Sequence, residues 1–224
     1  MSTEAEAVSK QHADNARYRH QRQEAIKAAA SVFAEKGFHG ASTRDIAERL
    51  GIKQGSLYYY FHSKEEALGE VCLFGIEDYV RRMERIAKSD QPFEAKLLAT
   101  LTSHLSSYRE KNEALKVYND ERLYLPEGKR KVLKQLGSGY RQLLEGVFEE
   151  GIRQGVIRNS IDCHFAAQAV IGICNAWGDL IVRDPDLDIF DVTQKSADLL
   201  LNGFSERRKT KRETDDNVAL ATDH

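Results

Sequence analysis

The chain has 224 residues, 41% hydrophobic and 30% charged, with three Pro, three Cys and a net charge of −2 at neutral pH. That is enough for one or two ordinary cores. Gln168, Asn175 and Asp179 interrupt the longest apolar stretch, Phe165 to Val182, short of the roughly 18 apolar residues a bilayer span needs. The polar stretch 1–17 has no signal-peptide core, so a cytoplasmic protein without membrane contact is expected.

Cys72, Cys163 and Cys174 are odd in number and have no zinc or redox spacing, so reduced thiols within helices are expected, with no metal and no cofactor. The small net charge conceals an asymmetry. Residues 17–64 carry nine Lys and Arg against four Asp and Glu, whereas residues 65–204 carry 18 against 23. The front of the chain suits a polyanion and the rest does not.

Taken in order, the periodic segments are helical. Ile26, Ala29, Ala30, Phe33 and Ala34 mark one face of a first helix that ends at Gly37. A second helix starts with Ser42 as cap and stops at Gly51, and a very short third covers Gln54 to Tyr60. Ser63 followed by Glu66 has capping-box spacing for a long fourth helix with the stripe Leu68, Cys72, Ile76, Val80, Met83 and Ala87. Pro92, Pro126 and Pro185 fall between segments and delimit helices at about 93–109, 113–124, 128–153, 162–182 and 188–204. The fold class expected is all-α with about nine helices. The organisation expected is a disordered arm over 1–17, a small helical unit over 18–63, a larger helical unit over 64–204, and a disordered basic tail over 205–224.

The stretch 42–61 carries the chemistry. Two short helices separated by a turn at Gly51, with Ala47, Leu50, Ile52 and Leu57 facing inward, form a helix-turn-helix that presents its second helix to the major groove. Here the chain resembles the TetR family of bacterial transcriptional regulators, from about Arg22 to Leu68. The match includes Val32-Phe33-Ala34-Glu35-Lys36-Gly37-Phe38, Ser42-Thr43-Arg44-Asp45-Ile46-Ala47 and Gly55-Ser56-Leu57-Tyr58-Tyr59-Tyr60-Phe61. The resemblance implies an all-helical homodimer with an N-terminal DNA-binding domain and a divergent C-terminal domain for dimerisation and an inducer.

Carried over residue by residue, it places Thr43 and Arg44 on phosphate or a base edge, and Gln54, Gly55, Ser56 and Tyr58 on the groove-facing side of the recognition helix. Gln pairs bidentately with adenine, Arg with guanine, and Gly lets backbone approach closely. Tyr59, His62 and Lys64 are further candidate DNA contacts, while Leu57 and Phe61 are read as core and Tyr60 as packed between helices. Arg17, Arg19 and Arg22 fit either phosphate contact or plain surface charge.

A short helix reads few base pairs, so specificity demands two copies spaced by a turn of DNA on a palindromic operator. Phe165, Ala169, Ile173, Ala176 and Leu180, with Leu200 and Phe204, are the expected dimer face, a four-helix bundle across a two-fold axis. An effector pocket is expected among residues 93–182, where His104, Tyr108, Tyr118, Arg122, Tyr140, Asn175 and Trp177 punctuate apolar stripes.

The segment Tyr118 to Pro126, followed by a long helix through Tyr140 and Gly151, is similar to the branch of the family that regulates fatty-acid and sterol breakdown and responds to acyl-CoA thioesters. It implies an acyl-CoA-like effector, with Arg122 either on a CoA phosphate or bridged to Glu121 or Glu150. The reading is therefore a repressor released by a small, largely apolar effector. A regulator without a small-molecule inducer is the alternative, and no nucleophile elbow, phosphate loop or metal spacing supports an enzyme.

Overall fold

In the computed structural model, residues 2–203 are described, with side chains from Asn15 onward. Among them nine α-helices and one 3-10 turn follow in order: α1 (Ser2–Gly40), α2 (Thr43–Leu50), α3 (Gln54–Leu57), α4 (Lys64–Ala87), α5 (Phe93–Glu110), α6 (Asn112–Glu121), the 3-10 turn Arg122–Tyr124, α7 (Glu127–Arg153), α8 (Cys163–Arg183) and α9 (Ile189–Asn202). No strand occurs among the described residues. Phe204 and the tail 205–224 lie outside them.

Residues 2–17 of the expected arm over 1–17 are instead the start of α1. Its Ala, Glu, Gln and Lys content contains no Gly or Pro before Gly37, which leaves nothing to stop helix propagation backward. Gly37 adopts φ 67°, so the helical path breaks there as its position suggests, and one further turn follows to Gly40. Pro92 and Pro126 stand immediately before α5 and α7, where a missing N–H costs nothing. The expected helix 113–124 is tightened at its end, α6 giving way to the 3-10 turn at Arg122.

Ala25, Ala29 and Phe33 of α1 meet Ile46, Leu57 and Phe61 in the front of the core, which continues without a break through Leu68 and Cys72 of α4 into α5 to α9. Cys72 and Cys174 are buried free thiols, both pushed up to about 12 by burial. Gly75 brings α4 against α6: a Cβ there would lie 3.2 Å from the Ala114 carbonyl oxygen. Two ion pairs fasten the frame. Lys96 on α5 bonds Glu150 on α7 at 2.8 Å, and Lys111 bonds Asp78 on α4 at 2.6 Å.

Contrary to the composition-based expectation, α8, 21 residues long, contains an 18-residue stretch with the mean hydropathy, 1.4, of a membrane-crossing helix. Its polar residues are too few to bring that average down. One side of it, with Ala167, Val170, Cys174 and Ile181, is buried against α5 and α7, which makes it a core helix with a second apolar side left over.

Candidate DNA-reading surface and internal cavity

Both short helices are held by local chemistry. The Ser42 side chain accepts from the Asp45 N–H, while the Ser42 N–H donates to the Asp45 carboxylate at 2.8 Å, a reciprocal capping box. Lys36 reaches the same carboxylate at 2.6 Å and, together with Ser42, holds the Asp45 carboxyl down at about 2. Gly51, at φ 71°, closes α2 with its N–H on the Ala47 and Glu48 carbonyls. Arg49 then bonds Glu35 through its two terminal guanidinium nitrogens, fixing α2 on α1.

Leu57 and Phe61 anchor α3 from beneath, each 1% exposed. Its outer side is left open, with Gln54, Gly55, Ser56 and Tyr58 all exposed. Gln54 Nε2 donates to Thr43 Oγ1 at 3.1 Å, joining the N-terminal ends of α2 and α3. Arg44 is exposed and only loosely paired, 3.7 Å from Glu48. A Cβ on Gly55 would meet nothing within 4 Å, so no packing inside the chain demands a glycine there. Tyr59 is exposed and its ring leans edge-on against Tyr18, with centroids 5.2 Å apart. Tyr60 is half-buried and stacked on Tyr18, as expected of a residue packed between helices. Arg22 is taken up by Glu70 at 2.7 Å. His62 is exposed, its backbone N–H held by Glu66 at 2.7 Å.

Lys64 corrects the sequence reading. Its ammonium does not reach outward. It donates to the Phe38 and Ala41 carbonyl oxygens at 2.8 and 3.0 Å and lies 4.4 Å from the centroid of the Phe38 ring. A helix start such as Ser63-Lys64 suggests a phosphate site, but the unpaired carbonyls beyond the Gly37 break are nearer and claim the charge.

A cavity of about 150 Å³ lies among α4 to α8. Five of the seven residues expected at an effector site line it together: His104 and Tyr108 from α5, Tyr118 from α6, Tyr140 from α7 and Asn175 from α8. Tyr79, on the inner stripe of α4 three residues beyond Ile76, completes the polar wall, and spacing alone could have found it. His104 Nδ1 and the Tyr140 hydroxyl are 3.1 Å apart, and the Tyr108 hydroxyl donates to Asn175 Oδ1 at 3.1 Å. Burial lowers His104 to about 4, so it stands neutral in the fold, and burial raises Tyr79, Tyr108 and Tyr140, which stay protonated. The cavity wall is thus apolar and aromatic, with uncharged hydrogen-bonding groups.

Two expected residues are elsewhere. Arg122 lies over the Tyr118 ring, 5.0 Å from its centroid, and donates to the Tyr118 and Asn119 carbonyls, capping the end of α6. It is bridged neither to Glu121 nor to Glu150. Trp177 does not line the cavity and lies at the edge of the buried side of α8, 36% exposed. It joins Phe165, 71% exposed, Leu180 and Ala176 on an apolar strip that also includes the half-buried Ala169 and Ile173, with Leu200 half-buried on α9. Phe190 is exposed as well and escaped the sequence reading because it opens its helix rather than lying in a stripe.

An exposed polar recognition helix braced on a three-helix unit, joined by one long helix to a larger helical body, defines a helix-turn-helix transcription regulator. The pattern for bacterial regulatory proteins of the tetR family matches residues 25–71, and that for the tetracyclin repressor-like C-terminal domain matches residues 90–204. The chain belongs to the TetR family. It is 34% identical to the HTH-type transcriptional repressor KstR2 of Rhodococcus jostii over 146 residues, 65% of this chain and 72% of that protein. It is 27% identical to the fatty acid metabolism regulator protein of Bacillus subtilis over 184 residues, covering 80% of this chain and 93% of the relative. The structure of the regulator FadR from Bacillus subtilis in complex with stearoyl-CoA superposes with a TM-score of 0.69 at 26% identity, covering 82% of this chain and 99% of that one. The family and these relatives are regulators of transcription, not enzymes.

Proposed function

We propose that two copies of this chain pair through the strip on α8 and the adjoining face of α9, and act in the cytoplasm as a repressor of a palindromic operator. Residues 18–63 form the reading unit and 64–204 the effector and dimerisation unit. Arg44, Thr43, Gln54, Ser56, Tyr58 and Tyr59 supply the contacts, with Gly55 letting the backbone approach the duplex. Support comes from the open outer side of α3, from the loose pairing of Arg44 and from the Gly55 position that nothing else explains.

The effector proposed is an acyl-CoA thioester, whose acyl part enters the cavity. The observation that carries this is the cavity itself, walled by α4, the helix whose first residue is bonded to the reading unit. At about 150 Å³ it is below the roughly 300–1,000 Å³ of ordinary ligand pockets. An acyl chain therefore has to part α4 from α7 and α8. That requirement gives the ligand different affinities for the two conformations, the condition for shifting an equilibrium. A preference of ~3 kcal/mol for the parted form weakens operator binding roughly 150-fold. The names of the relatives, which include a regulator of fatty acid metabolism and a stearoyl-CoA complex, favour this chemistry.

Selection of bound DNA from a random pool, followed by titration of the complex with stearoyl-CoA, tests the reading. A palindrome with half-sites about 34 Å apart is expected, together with release by the thioester. Gln54→Ala and Tyr58→Ala variants that bind the selected DNA like the wild type would remove the reading surface. Release by no acyl-CoA of any chain length would leave a regulator without this inducer.

A further inference from the structure

A second depression lies further along α4 and shares no lining residue with the cavity. It is a groove of about 330 Å³ between the C-terminal half of α4 and the first half of α5, and its charged walls are Arg82, Arg85 and Lys96, with no carboxylate among its lining residues. The three charges are unequally balanced. Lys96 is neutralised by Glu150 at 2.8 Å. Arg82 donates one terminal N–H to the Ser107 hydroxyl, its one ion pair is with the largely exposed Glu110 at 3.9 Å, and its buried Nε–H has no acceptor. Arg85 is exposed and makes no hydrogen bond or ion pair among the described residues. Arg82 also lies over the Tyr79 ring, 5.4 Å from its centroid, so one side chain borders both the groove and the aromatic wall of the cavity.

A neutral, aromatic cavity cannot hold phosphates, whose charge must stay where cations and water compensate it. The groove on the other flank, which shares Tyr108 and Asn119 with the cavity, is walled by Glu113, Asp120 and Asp179 against Lys116 and Arg183. Lys116 is already paired with Asp120 at 2.7 Å, so that flank repels anions. Arginine forks suit phosphate oxygens and stay charged at any physiological pH.

We propose that the groove between α4 and α5 binds the phosphate-bearing end of the effector, with Arg82 and Arg85 as its ligands. This rests on the acyl-thioester reading and adds a second, electrostatic site to it. The acyl part lies among Tyr79, His104 and Tyr140, and the diphosphate lies across Arg82 on Arg85.

The test is calorimetric titration of the full chain with stearoyl-CoA, coenzyme A, stearoyl-pantetheine and inorganic pyrophosphate. Coenzyme A alone is expected to bind, more weakly as salt rises. Arg85→Glu and Ser89→Asp, a second variant that places a negative charge in the same groove, should each weaken coenzyme A and stearoyl-CoA by about tenfold or more. Neither should change stearoyl-pantetheine, which lacks the phosphates. Equal affinity of coenzyme A for wild type and variants, or parallel weakening of stearoyl-pantetheine, would overturn the proposal. If stearoyl-CoA releases operator equally from wild type and variants, the thioester reading stands and the groove falls. If no thioester binds but pyrophosphate does, and Arg85→Glu abolishes it, the groove stands and the thioester reading falls.

Discussion

The Lys64 ammonium sits 2.8 Å from the carbonyl oxygen of Phe38 and 4.4 Å from the centroid of its ring, so the first residue of α4 is clamped to the loop that ends α1. The same loop is touched from the effector unit. Tyr124, at the end of the 3-10 turn, stacks on Phe38 with centroids 5.7 Å apart and meets His39 edge-on at 4.5 Å. Two elements next to the cavity, α4 and the turn that follows α6, thus converge on residues 37–41. Because Arg49 and Glu35 fix α2 on α1, displacement of that loop carries the reading helix with it.

Replacing Lys64 by Met keeps much of the stem and removes the charge. Two partly buried carbonyls lose their donor, which costs about 1–3 kcal/mol, readable as a lower urea midpoint. Operator affinity should fall, but the slope of log affinity against log salt should stay as in the wild type. A lysine on a phosphate would change that slope by about 0.9. A shallower slope in the Lys64→Met protein would return this residue to the DNA surface.

Gly178 is where Tyr108 presses on α8. A Cβ there would overlap two carbons of the Tyr108 ring, so Gly178→Ala has to displace the ring, whose hydroxyl bonds Asn175. The overpacking costs about 1–3 kcal/mol, partly offset by the ~1 kcal/mol that Ala gains over Gly in a helix. Operator binding should persist and release by stearoyl-CoA should need a higher concentration. Release at the wild-type concentration would show that Tyr108 does not border the bound ligand.

The reading helix and its supports were legible in the sequence because their determinants are local. Ser42, Asp45 and Gly51 fix α2 within a dozen residues, and Leu57 with Phe61 fixes which side of α3 is hidden. The cavity was legible only in part. His104, Tyr108, Tyr118, Tyr140 and Asn175 lie on inner stripes of four helices and converge, but the stripe of α8 has two apolar sides, and nothing local says which of them takes Trp177. Lys64 and Arg122 were misplaced for a shared reason. A long cation goes to whichever acceptor the tertiary fold leaves unpaired, here carbonyls at the ends of α1 and α6, and sequence spacing does not reveal those ends.

Pairing through α8 predicts what a charge on that strip does. Ile173 is half-buried in the single chain and Leu180 is 47% exposed, so Ile173→Glu with Leu180→Glu costs the subunit little while placing two carboxylates in each half of the interface. Burial of such unpaired charges is prohibitive. Sedimentation should find monomers where the wild type is dimeric, and operator affinity should fall by about 10³-fold or more, towards that of non-specific binding. A double variant that still sediments as a dimer would move the interface off this strip.

His104 sets the acid limit of the effector unit. Its side chain is 6% exposed, and burial, acting against a hydrogen bond that the ring donates to Asn175, lowers it from 6.5 to about 4. Between those values the unfolded chain binds a proton that the folded chain refuses. Stability from this group is therefore complete above pH 6.5, declines as pH falls toward 4 and is lost below that, by on the order of 3 kcal/mol. The sign is that of a group whose folded form disfavours the proton. Protonation would also reverse its bond with Tyr140, since Nδ1 accepts from the hydroxyl only while unprotonated. His104→Gln, of similar reach and without a titrating proton, should flatten urea midpoints measured between pH 4.5 and 7.5. An undiminished slope in that variant would assign the acid sensitivity to another group.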